Sequence, residues 1–230
     1  MHDRPGYADQ RVTYSSGALD EAGLAPTPLA QFERWYAEAR DGGVVEPNAM
    51  VVGTTGLDGV PTTRTVLLKD ADRRGFVFYT NYASRKGAEL AVVPRAALTL
   101  PWHPMHRQVC VRGLVERVPR EESAAYFGSR PWGSRIGAWV SSQSAEISSR
   151  DELDRRWAEL SERWPDRGTP SDVPLPDTWG GFVVRPLEVE FWQGRPSRLH
   201  DRLVFLPAPP ARGLPALDDA SGWRVVRRQP

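Results

Sequence analysis

The stretch AMVVGTTGLDGVPTTRTVLLK, residues 49–69, is two runs rich in Val and Thr on either side of Leu57-Asp58-Gly59. Short β-branched runs joined by an Asp-Gly turn predict a hairpin with strands over 49–55 and 60–69. The same pattern continues outward. Runs at 75–80, 96–102 and 107–118 predict further strands, with Asp70 to Gly75 as another hairpin connection, so that neighbours in sequence pair as a meander. One helix interrupts them: Ser84 caps a turn beginning at Arg85, with Ala88, Leu90, Ala91 and Val92 as packing positions and Pro94 as the stop.

On the N-terminal side, residues 1–26 are polar, broken by Gly and Pro, and read as an irregular arm. Thr27-Pro28 then opens a helix with Leu29, Phe32, Tyr36 and Ala39 as its apolar stripe, stopped by Gly42-Gly43. On the C-terminal side, 120–129 and 133–140 predict two short helices. Ser149-Arg150-Asp151-Glu152 is a capping-box pattern ahead of Leu153, Trp157, Leu160 and Trp164 at helical spacing. Strands at 181–185 and 187–193, split by Pro186, and a hairpin of 202–206 with 223–228 close the chain. Helices do not alternate with strands one for one, which predicts a mainly β (α+β) antiparallel sheet or barrel with peripheral helices: one domain over 27–230 behind the arm.

The 230 residues are 40% hydrophobic and 26% charged, sufficient for a substantial core. Thirty basic against 29 acidic residues give a formal charge of +1. That excludes a long-range field for nucleic acid or anionic membrane, so local clusters must carry any anion chemistry. Cys110 is the one cysteine, which excludes an intrachain disulfide and a cysteine-built metal site. No apolar run approaches the roughly 18 residues of a membrane span, and MHDRPGYADQR lacks a signal peptide's apolar segment; a cytoplasmic protein is the expectation.

Arginine is the generic cation here, 28 against two lysines, Lys69 and Lys86. Ser84-Arg85-Lys86 places two cations at a helix start, where free amides make a phosphate receptor; a solvated charged helix end is the other reading. Tyr126, Arg130 and Ser134 form a second anion-ready group around a helix break, with capping and surface charge as its alternative. Arg64 and Lys69 share a predicted strand but differ in parity, so an ideal strand directs them to opposite faces. In EFWQGRPSRLHDR, 190–202, the residues Arg198, His200 and Arg202 share strand parity beside Trp192, against the alternative of an edge strand with a buried Trp. His103-x-x-His106 has no third ligand at convincing spacing, and no dinucleotide, P-loop or hydrolase-elbow signature is present, so no metal is expected.

Taken together, RTVLLK at 64–69, FYTNYASRK at 78–86, PWHPMHRQV at 101–109, YFGSRPWGSRIGAWVSSQS at 126–144, WGGF at 179–182 and EFWQGRPSRLHDR resemble the pyridoxamine 5'-phosphate oxidase family. The resemblance implies an FMN-binding split β-barrel and a homodimer with FMN at its interface. It also implies oxidation of pyridoxamine or pyridoxine 5'-phosphate by oxygen to pyridoxal 5'-phosphate and hydrogen peroxide. Carried over by position, it implies cofactor contacts from Arg64, Thr65, Val66, Leu67, Leu68, Lys69, Tyr79, Thr80, Arg85, Lys86, Gln108, Gln143, Ser144, Trp192 and Arg202. Substrate phosphate falls to Lys69, Tyr126, Arg130 and Ser134, the reacting carbon to Arg198 and His200, and a lid to Arg11 and Tyr14. The parity conflict then becomes understandable, one residue serving cofactor and the other substrate. A flavin or deazaflavin reductase on the same barrel leaves Tyr126, Arg130, Ser134, Arg198 and His200 without a shared task; a flavin or pyridoxal phosphate carrier is the non-enzymatic alternative, distinguished by tight binding without peroxide production.

Overall fold

The computed structural model describes residues 6, 10, 12–14, 17–209 and 213–230. The predicted hairpin forms one end of the sheet: β1 (Ala49–Thr55) and β2 (Pro61–Leu67) pair antiparallel, Val52 opposite Arg64. Then come β3 (Asp70–Asp72), β4 (Gly75–Asn81), β5 (Arg95–Trp102), β6 (Arg107–Arg117), β7 (Trp179–Gln193), β8 (Asp201–Pro207) and β9 (Trp223–Arg227). The pairing order is β2-β1-β5-β6-β7-β4-β3, with β8 and β9 continuing from β7, and these strands all pair antiparallel. β2 and β4, far apart in that order, come back into contact, so the sheet curls into a split barrel. Alternation explains the curl's interior: Met50, Val52, Leu98, Leu100, Val109, Val111, Phe191 and Phe205 all point inward and are buried.

Helix α1 (Pro28–Asp41) starts as its sequence predicts, Thr27 accepting from the Ala30 N–H at 3.1 Å. It lays Phe32 and Trp35 edge-on against Phe76 and Phe191, at 5.0 and 5.3 Å between ring centroids. Each buried aromatic contributes about 2–3 kcal/mol by area. Helices α3 (Arg120–Ser129), α4 (Trp132–Val140) and α5 (Arg150–Arg163) make a second, smaller core with Phe127, Ile136, Val140, Val173 and Trp179.

Four local expectations are corrected. Residues 70–75 are not a plain connection: 70–72 form β3, which pairs with β4 around a turn at Arg73-Arg74. Pro186 does not split two strands, because β7 runs through it at a bulge opposite Arg112/Gly113, where a missing N–H does no harm. Gly113 permits that bulge, since a Cβ there would lie 2.3 Å from the Arg185 carbonyl oxygen. At α5, Ser149 makes no side-chain cap; Ser148 Oγ donates to Glu152 instead, at 2.9 Å. Helix α2 (Arg85–Val92) buries Leu90 as its sequence predicts, but the other predicted packing positions, Ala88, Ala91 and Val92, are exposed, and Lys86, Gly87 and Glu89 are buried in their place.

The segment from Gly17 lies against β8 and β9. Leu19 is buried, its N–H donates to Asp201, and Arg227 holds the Leu19 carbonyl and the Glu21 carboxylate. The Pro/Ala-rich stretch after β8 is anchored by Leu217, which is buried with its N–H on the Arg73 carbonyl. Among the described residues no helix is long and apolar enough to cross a membrane.

Candidate active site

Where β2 meets β4, the edges of the sheet and the break between α3 and α4 enclose a cavity of about 950 Å³. Its wall contains Arg64, Thr65, Val66, Leu67, Lys69, Tyr79, Thr80, Arg85, Lys86, Tyr126, Arg130, Ser134, Gln143 and Ser144, all singled out from sequence. The parity conflict disappears because β2 ends at Leu67, so Lys69 is no longer on the strand that carries Arg64.

One part of the wall is the start of α2. Ser84 accepts from the Gly87 N–H, and Gly87 lets the helix touch the preceding turn, a Cβ there falling 2.1 Å from the Tyr82 carbonyl oxygen. This packing turns Lys86 inward. Its Nζ, 5% exposed as a residue, donates to Thr80 Oγ1 at 3.1 Å and Ser84 Oγ at 3.3 Å. Burial and the neighbouring Arg64 push its pKa down, with Glu89 opposing; that carboxylate is ion-paired to Arg64 and Arg85. A buried ammonium held by hydroxyls alone is a cation short of an anion.

The other part lies across the α3–α4 break. Tyr79, Tyr126 and Trp179 stack, with Tyr79 4.1 Å from Tyr126 and 5.4 Å from Trp179 between centroids. Burial pushes the Tyr79 phenol up to about 12, so it is neutral. Arg130 lies over Trp179 at 4.8 Å and Phe127 at 5.6 Å, and Lys69 is 5.9 Å from the Tyr126 ring. The Arg130 Nη1 is buried and has no hydrogen-bond partner. Between the two parts, Gln143 Oε1 accepts from Thr80 Oγ1 at 3.0 Å, which leaves its amide N–H groups as donors. One cavity therefore carries two cationic receptors beside an aromatic wall, and a dianionic phosphate satisfies each.

The remaining site residues do not line this cavity. Gln108 and Trp192 pair across β6 and β7, and Trp192 is 4.6 Å from His200. Tyr14 covers them, 5.8 Å from His200, 6.1 Å from Trp192 and stacked on His106 at 4.2 Å. Arg11 lies outside the described residues. The shared parity of Arg198, His200 and Arg202 is corrected: Pro196–Arg198 is a 3-10 turn with Ser197 and Arg198 at φ 57° and 62°, and the strand starts only at Asp201. Arg202 is held by both oxygens of the buried Glu190, at 3.1 and 2.7 Å. Leu68 does not line the cavity either: its side chain is in the core, and its N–H and C=O both bond Asn48. Because Arg195 N–H donates to His200 Nδ1 at 3.0 Å, the neutral ring carries its proton on Nε2. Burial, then Arg198, lowers the His200 pKa against the pull of Asp201, so this tautomer is a donor rather than a base near neutral pH.

Sequence reasoning missed Trp179 as a wall residue, although WGGF had been picked out as a motif, and it missed Glu89, which has no motif of its own. Among the described residues no group of three or more His, Cys, Asp or Glu could hold a metal.

Residues 37–164 match the family model described as pyridoxamine 5'-phosphate oxidase. The chain belongs to that family. Residues 179–230 match the pyridoxine 5'-phosphate oxidase C-terminal dimerisation region, which contains β7 to β9 and with them Trp192, Arg198, His200 and Arg202. Among relatives of the oxidase family, a pyridoxine/pyridoxamine 5'-phosphate oxidase of Kineococcus radiotolerans is 61% identical over 224 residues, 97% of this chain and 98% of its own. One from Thermobifida fusca is 51% identical, covering 97% of each chain. The crystal structure of PhzG from Burkholderia lata 383, in complex with tetrahydrophenazine-1-carboxylic acid, superposes with a TM-score of 0.81 at 27% identity, over 94% of this chain and all of that one.

Proposed function

We propose that this chain is an FMN-dependent pyridoxine/pyridoxamine 5'-phosphate oxidase acting as a homodimer. The observation that carries the reading is the single cavity with two separate receptors for phosphate, one at the start of α2 and one across the α3–α4 break. Arg64, Arg85, Lys86 and the α2 amides would hold the cofactor's phosphate; Thr65 to Leu67, Tyr79, Thr80, Gln143 and Ser144 would hold the rest of FMN. Lys69, Tyr126, Arg130 and Ser134 would hold the phosphate of the B6 substrate. Trp192, Arg198 and His200, outside this cavity, would reach the site from a second copy of the chain, together with Gln108 and Arg202, and Arg11 and Tyr14 would cover it.

The chemistry FMN supplies when bound is two-electron acceptance, with oxygen as the terminal oxidant. Pyridoxine phosphate and oxygen give pyridoxal phosphate and hydrogen peroxide; the amine consumes water as well and releases ammonia. The protein's task is placement. Anchoring both phosphates in one cavity would hold cofactor and substrate together and replace a bimolecular encounter by an oriented one. The aromatic wall would exclude water, His200 would donate from Nε2 toward the substrate ring, and Arg198 would orient the substrate at its reacting carbon.

The purified protein is expected to be yellow, to lose its visible flavin band when pyridoxamine 5'-phosphate is added without oxygen, and to recover it with peroxide release when air is admitted. A flavin band unmoved by B6 phosphates but bleached by reduced nicotinamide would instead identify a reductase.

A further inference from the structure

We propose that Glu89 is the positioning residue of the cofactor-phosphate receptor: its buried carboxylate ties the guanidiniums of Arg64 on β2 and Arg85 on α2 to one anchor. The inference rests on the reading of Arg64, Arg85 and Lys86 as that receptor.

Glu89 is buried behind the cavity wall and does not line it. Its Oε2 accepts from Thr54 Oγ1 at 2.5 Å, Thr62 Oγ1 at 2.8 Å and Arg64 Nη2 at 3.3 Å; its Oε1 accepts from Arg85 Nε at 3.0 Å. The same two threonine hydroxyls accept from Arg64 Nη1 and Nη2, both at 2.5 Å. Arginine, hydroxyls and carboxylate thus close a ring that spans two elements. Among the described residues every side-chain hydrogen bond between α2 and the β1–β2 hairpin runs through this carboxylate.

Two cations at a helix start oppose the helix dipole, and Arg85 stays there because Glu89, one turn on, neutralises it. Removing the carboxylate would add a positive charge beside a phosphate of about two negative charges, so any loss of phosphate preference reports the lost placement of the guanidiniums and not a loss of attraction. Burial works to raise the Glu89 pKa, but hydrogen bonds from Thr54, Thr62 and Arg85 and the charge of Arg64 hold it at about 2, so the anchor is ionised at every working pH.

The test titrates flavin-stripped wild type, Glu89→Ala and Glu89→Gln with FMN and with riboflavin, which shares the ring system and lacks the phosphate. Glu89→Ala is expected to cut the preference for FMN over riboflavin about tenfold or more, with riboflavin affinity unchanged. Glu89→Gln is expected to cut it about threefold, because an amide oxygen still accepts from one guanidinium without charge assistance. If Glu89→Ala does not fold, the Gln variant decides alone. An unchanged preference in either variant, or equal weakening of both flavins in the Ala variant, overturns the proposal. A wild-type protein that binds the two flavins equally would remove the phosphate-receptor reading beneath it.

Discussion

Replacing Lys86 by methionine is expected to make the flavin-free protein more stable and its FMN complex much weaker. Lys86 sits among hydroxyls, buried, with its pKa pushed down by burial and by Arg64. An uncompensated buried charge costs stability, and methionine fills similar volume without it, so a gain of about 1 kcal/mol is expected in denaturant titration of the apoprotein. The lost charged hydrogen bond to phosphate should weaken FMN by about 10- to 100-fold, roughly 1.5–3 kcal/mol. The pH dependence has opposite signs for the two properties. Because the folded-state pKa lies below the unfolded 10.5, the unfolded chain binds more protons in the window between them, so apoprotein stability rises with pH there. FMN affinity falls through the same window as the ammonium loses its proton. Both trends should vanish in Lys86→Met, and a methionine variant that keeps wild-type FMN affinity would remove Lys86 from the receptor.

Arg130→Ala is expected to raise the KM for pyridoxamine 5'-phosphate about 100-fold while leaving FMN content unchanged, the order expected for a charged hydrogen bond to phosphate. The reason is specific to this guanidinium. It is held over Trp179 and Phe127, with a buried Nη1 that no other group satisfies. Arg130→Lys keeps the charge but not the planar fork that stacks on the indole, so an intermediate loss of about tenfold is expected. Loss of flavin in either variant, seen in the absorption of the purified protein, would mean that the α3–α4 break serves the cofactor instead.

Strands and helices were legible wherever burial and polarity alternate in register, as along β1, β5 and β6. Helix α2 was legible in its ends but not in its face. Its inward side carries Lys86 and Glu89, whose burial rests on hydroxyl and arginine partners from other elements, and a hydrophobic stripe cannot reveal such buried charges. Pro186 misled for a related reason: a bulge opposite Gly113 removes the ladder bond that proline would have broken, and that compensation sits about 70 residues away in sequence. The turn at 196–198 defeated the parity argument because two positive-φ residues, neither of them glycine, redirect the chain before β8. The cavity residues were legible because their motifs are long; Glu89 was not, because its meaning depends on threonines from β1 and β2 that only the fold brings together.

The claim on which the chemistry depends is that a complete site needs two copies of the chain, one giving the cavity and the other the Trp192–His200 cluster. Co-expression of Arg130→Ala and Arg198→Ala chains, each tagged for separate purification, tests it directly. If sites are shared, each mixed dimer carries one intact and one doubly altered site, and a random mixture should recover about a quarter of the wild-type rate at substrate concentrations well below the KM of the Arg130→Ala variant. Mixed dimers no more active than the better of the two single variants would place both residues in the same site of one chain and contradict the shared arrangement.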